Sequence, residues 1–122
     1  GGAIVNVSSI GAQRVLPEYV VVGASKAALE ALTRYLAVEL APLRIVVNAV
    51  SAGMVRTDAL QHFPGMREHF EERFAYALAH TPAGRVLEPD DVAGVVAFLC
   101  SPDAFMIRGQ TILIDGGASL GF

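Results

Sequence analysis

Short apolar runs alternate with helical periods along the chain. Ala3 to Val7 (AIVNV) is a continuous apolar run ended by Ser8, Ser9 and Gly11, the pattern of a buried strand running into a loop. Pro17 and Glu18 then open a helix predicted to reach about Leu40. Along it Ala24, Ala27, Ala28, Ala31, Leu32, Leu36 and Leu40 recur at spacings of three and four among good helix formers, and Pro42 stops it. Arg44 to Val50 (RIVVNAV) reads as a second strand. Its apolar character is continuous rather than alternating, which predicts burial on both faces, as in a parallel sheet. Two such strands joined by a long helix make a βαβ unit, with an expected right-handed crossover.

The pattern changes between Asp58 and Arg85. Pro64-Gly65 interrupts it, and then Met66, Phe70, Phe74, Ala77 and Leu78 share one face of a predicted helix whose other face carries Arg67, Glu71 and Glu72. Pro89, with Asp90 and Asp91 beside it, suits the first turn of a further helix running to about Ser101. Thr111 to Asp115 (TILID) is the third strand, followed by Gly116 and Gly117. The order is β-α-β-α-α-β, and the chain is expected to form one α/β unit.

Composition narrows the function classes. With 122 residues the chain is predicted to be one domain, and an apolar fraction of 53% is high for that size, as though cut from a larger core. No apolar run reaches the ~18 to 20 residues that a membrane span needs, because Lys26, Glu30, Arg34, Glu39 and Arg44 interrupt the richest region. A net charge of −3 and the lack of any basic run argue against nucleic acid. Cys100 is the only cysteine, which excludes an internal disulfide; following Phe98 and Leu99 late in a helix, it is expected to be a buried, inert thiol. His62, His69 and His80 fall at spacings of seven and eleven, but Pro64-Gly65 breaks the first step, and no metal site is expected.

Tyr19 and Lys26 are the pair with chemical promise. A separation of seven lies within ~20° of two full helical turns, which places both on one face about 10.5 Å apart along the axis of an unbroken helix. A phenol is a poor acid or base near neutrality unless its anion is stabilised, and a fixed ammonium nearby does so even without direct contact.

The segments AIVNVSSIG, Y…GASKAALEALTR, IVVNAVSAGMVRTD, TPAGRVLEPDDVAGVVAFL and RGQTILIDGG together resemble the C-terminal half of a short-chain dehydrogenase/reductase, in order and spacing, over essentially the whole chain. The resemblance implies half of a Rossmann-like, doubly wound parallel sheet. The commonest members carry tyrosine four residues before lysine, where this chain has Val22; the Tyr-x6-Lys spacing is most similar to bacterial NADPH-dependent enoyl-acyl-carrier-protein reductases of type III. What the resemblance implies is reduction of a trans-2-enoyl thioester with NADPH, NADH not being excluded, in the cytoplasm, on an acyl group carried by acyl carrier protein. Tyr19 would be the proton donor, and Lys26 would tune it and bind the nicotinamide ribose. A ketoreductase delivers hydride to the carbonyl carbon, whereas an enoyl thioester takes it at the β-carbon and develops charge on an oxygen three bonds away. A tyrosine displaced by one turn follows that charge.

By the same resemblance Ser9 matches the serine that polarises a carbonyl in ketoreductases, although a serine closing a turn after the strand is an equal reading, and Ser8 is the weaker candidate. Gly53, Val55, Arg56 and Thr57 match the loop that meets the nicotinamide carboxamide, with Ala52 where the family usually has proline. Residues 58–88 match an insertion covering the active site, so that Met66, Phe70 and Phe74 would meet an acyl chain; their alternative is core. The phosphate-binding glycine turn and the ribose reader of the family's N-terminal half are not in this sequence, and Gly116, Gly117 and Gly121 read as tail and turn. A missing N-terminal piece, self-association through an uncovered first strand, or origin in a larger enzyme is therefore expected, along with homo-oligomers through the helix at 19–40. The alternative activities are a 3-oxoacyl thioester ketoreductase or other short-chain dehydrogenase, and a catalytically silent assembly module.

Overall fold

A computed structural model describes residues 1–57 and 69–121. Three parallel strands, β1 (Gly2–Ser9), β2 (Ile45–Ala52) and β3 (Thr111–Ile114), lie in that order in one sheet. β1 pairs with β2 from Gly2↔Ile45 to Ser9↔Ala52, and β2 with β3 from Ala49↔Thr111 to Ala52↔Ile114. The three strands therefore end level with one another, and the loops leaving their carboxyl ends gather on one side. In open α/β sheets that is where ligands bind.

β2 is central, and its continuous apolar run has the expected consequence: Val47, Ala49 and Val50 are wholly buried. Beneath it Val50, Leu99 and Ala104 form the core cluster, packed by Val5, Val92, Val95, Val96 and Ile112. Burying a side chain such as Leu99 contributes about 1.5–3 kcal/mol. Asn48 is the polar exception inside β2. Its amide donates to the Ile107 carbonyl at 2.7 Å and its carbonyl accepts the Gln110 N–H at 3.0 Å, which pins the approach to β3.

Helix α1 (Val20–Glu39) covers the β1–β2 face. The residues turned inward are Gly23, Glu30, Thr33 and Ala37, whereas Ala24, Ala27, Ala28 and Leu32 of the predicted apolar stripe lie exposed. A helix in close contact with a sheet needs small or internally bonded residues there, and the polar ones have partners. Thr33 Oγ1 accepts the Asn6 amide at 3.0 Å and donates to the Leu29 carbonyl at 2.8 Å. The 3-10 turn at Ala41–Leu43 and left-handed Arg44 then reverse the chain into β2.

Helix α2 (Phe70–Ala79) follows residues 58–68, which lie outside the described ones, and helix α3 (Pro89–Leu99) packs under the sheet. Pro89 holds the first helical position as expected. Glu88 and Asp91 form a reciprocal capping box, a device contributing about 0.5–2 kcal/mol. Arg85 grips Asp91 with two nitrogens at 2.7 and 2.8 Å. Cys100 corrects the expectation of a buried thiol: Leu99 takes the inward position at 2% exposure, and the next residue, rotated by about 100°, faces out. Among the described residues no helix is long and apolar enough to cross a membrane.

Candidate functional site

A cleft of about 1130 Å³ opens at the carboxyl ends of the strands. Ser9, the last residue of β1, enters a 3-10 turn (Ile10–Ala12), and the chain loops out to return at Tyr19. The return is tight, since Glu18 takes φ 57° and Tyr19 sits at φ −121° and ψ 10° as the residue before α1. Tyr19 is thus the N-cap of α1, its carbonyl accepting the Gly23 N–H at 2.7 Å, and it lines the same cleft as Lys26 seven positions along.

Three polar groups converge there. The Tyr19 hydroxyl is 3.1 Å from Ser9 Oγ, which also accepts the Gly11 N–H at 3.1 Å. Lys26 Nζ donates to the Val7 carbonyl at 2.9 Å, which fixes the ammonium against the end of β1. Val22, four residues before Lys26, is not on the cleft wall. Ser8 also borders the cleft, but it is buried and its hydroxyl has no partner among the described residues.

The opposite wall begins with the loop after β2. Gly53, Met54, Val55 and Thr57 line the cleft. Gly53 N–H donates to the Ile114 carbonyl at 2.9 Å, and a Cβ on it would lie 3.0 Å from that of Asp115, so only glycine fits without displacement. Val55 forms an isolated parallel bridge to Leu87, in which Leu87 N–H meets the Met54 carbonyl at 3.2 Å and Arg56 N–H meets the Leu87 carbonyl at 2.8 Å. In a parallel bridge alternate residues bond to opposite sides. The N–H and C=O of Val55 are thus not spent on Leu87. Arg56 is placed away from the cleft wall, with its guanidinium 5.1 Å over the Phe74 ring and its Nε 3.9 Å from Glu88.

Phe70 and Phe74 are also off the cleft wall. Their rings pack on each other at 4.9 Å, half-buried beside Arg56. Met66 lies outside the described residues. The side of α2 that lines the cleft instead carries Glu72, Arg73, Tyr76 and Ala77, with Tyr76 stacked on His80 at 3.9 Å. That side has a helical i, i+3, i+4 spacing of its own, but its charges read from sequence as a solvent face. Among the described residues no three His, Cys, Asp or Glu side chains gather as a metal site; His69 lies beside Glu72. Gly116 and Gly117 lead into a 3-10 turn (Ala118–Leu120) rather than a helix that could hold phosphate.

Residues 1–119 match the family described as enoyl-(acyl carrier protein) reductase. Over 120 residues the chain is 40% identical to the enoyl-[acyl-carrier-protein] reductase [NADH] of Escherichia coli, covering 98% of this chain and 44% of that protein. Among solved structures, the Bacillus cereus enoyl-acyl carrier protein reductase with NADP+ and an indole naphthyridinone superposes with a TM-score of 0.89 at 33% identity, covering 100% of this chain and 46% of the other. A 3-ketoacyl-(acyl-carrier-protein) reductase from Brucella melitensis with NADH gives 0.81 at 41% identity, over 96% and 44% of the two chains. The chain spans about half the length of the curated relatives it matches.

Proposed function

The chain belongs to the short-chain dehydrogenase/reductase family, and on that footing we propose that its parent protein reduces trans-2-enoyl thioesters with a nicotinamide dinucleotide. The observation that carries this reading is the phenol of Tyr19, bonded to Ser9 at 3.1 Å and sharing a cleft with Lys26, while the position four before Lys26 is a valine off the cleft. The residues present fit the nicotinamide end of such a cofactor. The Val55 N–H and C=O, one donor and one acceptor not used by Leu87, complement a carboxamide, and Lys26 has two further N–H donors beyond its bond to Val7 for ribose hydroxyls. When bound, the nicotinamide supplies the hydride.

The chain's own groups then handle charge and proton. As negative charge develops on the thioester oxygen, the Tyr19 O–H donates to it and passes its proton. Lys26, an ammonium held against β1, favours the resulting phenolate. Ser9 keeps the phenol oriented through its own hydroxyl. The apolar walls, among them Leu16, Val55 and Val92, exclude water and suit an acyl chain. Helix α2 would border that chain through Tyr76 and Ala77. NADPH is proposed over NADH on the type III likeness. Acyl carrier protein as the carrier, and the cytoplasm as the compartment, are part of the same proposal. A second copy would cover the exposed Val21, Tyr35 and Val38 of α1, which are 80%, 67% and 75% exposed.

A specific observation also favours a second reading, reduction of 3-oxoacyl thioesters. Two hydroxyls 3.1 Å apart, Ser9 and Tyr19, can both bond one carbonyl oxygen. The full-length protein, given NADPH or NADH, decides between them: faster cofactor oxidation with crotonyl thioester than with acetoacetyl thioester supports the first reading, the reverse order the second. No oxidation with either contradicts both.

A further inference from the structure

In the segment joining the paired hydroxyls, Ile10–Ala12 packs against α1, but residues 13–18 are exposed and owe little to apolar burial. Val15 is 98% exposed and Leu16 37% exposed, so packing does not fix the path of residues 13–18, and stretches of that kind open locally at low cost. A few polar bonds fix it instead. Gly11 N–H donates to Ser9 Oγ, the Gln13 amide reaches Glu30 at 3.4 Å, and Arg14 Nη2 donates to the Ser119 carbonyl at 2.7 Å. The first two stay within the β1–α1 unit. Arg14 reaches across the whole sequence to the turn after β3.

That turn is a firm anchor. Buried Asp115 accepts the Gly117 N–H at 2.9 Å on one carboxylate oxygen and the Ser119 N–H at 2.8 Å on the other, while the Ser119 carbonyl receives Arg14. Burial pushes the Asp115 carboxyl up, but the Ser119 and Gly117 bonds and the charge of Arg14 outweigh it and hold the group below its ordinary value. Gly116 and Gly117, at φ 63° and 90°, give the turn a shape that other residues rarely adopt. It is wedged between neighbours on two sides: a Cβ on Gly117 would lie 3.0 Å from Pro82, and Gly53 presses on Asp115 from the other.

We propose that Arg14 is a positioning residue, fastening residues 13–18 to the Asp115–Ser119 turn so that Ser9 Oγ and Tyr19 OH stay at bonding distance. The inference rests on reading Ser9 and Tyr19 as the reacting groups. Arg14 is not on the cleft wall and acts through the loop. A single exposed bond contributes little to global stability, but misplacing a catalytic group by about 1 Å can lower the rate about a hundredfold.

The test compares Arg14→Met and Arg14→Lys with wild type in the full-length protein. Arg14→Met is expected to lower kcat on the preferred thioester about ten- to hundredfold, with the thermal midpoint and the cofactor dissociation constant unchanged. Arg14→Lys keeps one cationic donor for a carbonyl and restores part of the rate. Hydrogen exchange gives a readout independent of turnover, with the Gly11, Gln13 and Arg14 amides exchanging faster in Arg14→Met and regaining protection in Arg14→Lys. An unchanged kcat, or a loss that follows stability and that lysine does not repair, overturns the proposal. If the wild type neither binds NADPH or NADH nor reduces a thioester, the activity reading has failed; faster exchange in Arg14→Met then still supports the tether, and unchanged exchange overturns it.

Discussion

The hydroxyl oxygens of Tyr19 and Ser9 lie 3.1 Å apart although ten positions separate the residues in sequence. That contact depends on a loop that leaves the sheet at the end of β1 and returns at the start of α1. It ties the geometry of the proposed chemistry to residues that take no part in it.

Gly11 is one of them. A Cβ there would fall on the Tyr19 ring, 2.5 Å from Cδ2, and a Cβ on Gly23 would lie 2.8 Å from the Gly11 carbonyl oxygen. Gly11→Ala is therefore expected to displace the ring and to cost about 1–3 kcal/mol of stability, the usual range for overpacking. Its kcat should fall further than the stability loss explains. Urea melts and steady-state kinetics on the same preparation check both, and a fully active Gly11→Ala protein would show that the ring has another seat.

Lys26→Met removes an ammonium that donates to the Val7 carbonyl at 2.9 Å. Hydrogen bonds from a charged group contribute about 1.5–3 kcal/mol, so the variant should bind NADPH or NADH at least about tenfold more weakly in a fluorescence titration. Unchanged affinity would remove Lys26 from the ribose site.

The expectations that held and those that did not have physical causes. The three strands, α1 and α3 follow from runs and periods that each segment carries within itself, and the Pro89 first turn from the ring's fixed φ. The helix begins at Val20 with Tyr19 as its N-cap, rather than at Pro17, because Glu18 at φ 57° breaks the helix path, and a left-handed glutamate has no sequence signal. The face of α1 against the sheet is not its most apolar one, since Thr33 is buried by a bond from Asn6, 27 positions away. Likewise Phe70 and Phe74 find each other and Arg56, leaving Tyr76 and Arg73 to the cleft. Such choices depend on partners distant in sequence, which periodicity does not encode.

Asp91 gives a pH signature. Its bidentate bonds from Arg85, and then the Glu88 N–H, hold the carboxyl well below its ordinary value of 3.8. A depressed folded-state value means that the contribution is complete above 3.8 and is lost as pH falls below it toward the folded value. Thermal melts of wild type and Asp91→Asn should differ most near neutrality and converge on acidification. A gap that widens below pH 3.8 would contradict the pairing.

On the proposed reading, the Tyr19 phenol delivers the proton to a reduced enoyl thioester. That step is tested most directly by the single-turnover rate of cofactor oxidation on crotonyl thioester, measured for wild type and Tyr19→Phe in the full-length protein at saturating NADPH. A general acid contributes about 10²–10⁴-fold, so Tyr19→Phe is expected to lose that much rate while binding NADPH as tightly as the wild type. Turnover of Tyr19→Phe at the wild-type rate would exclude Tyr19 as the proton donor.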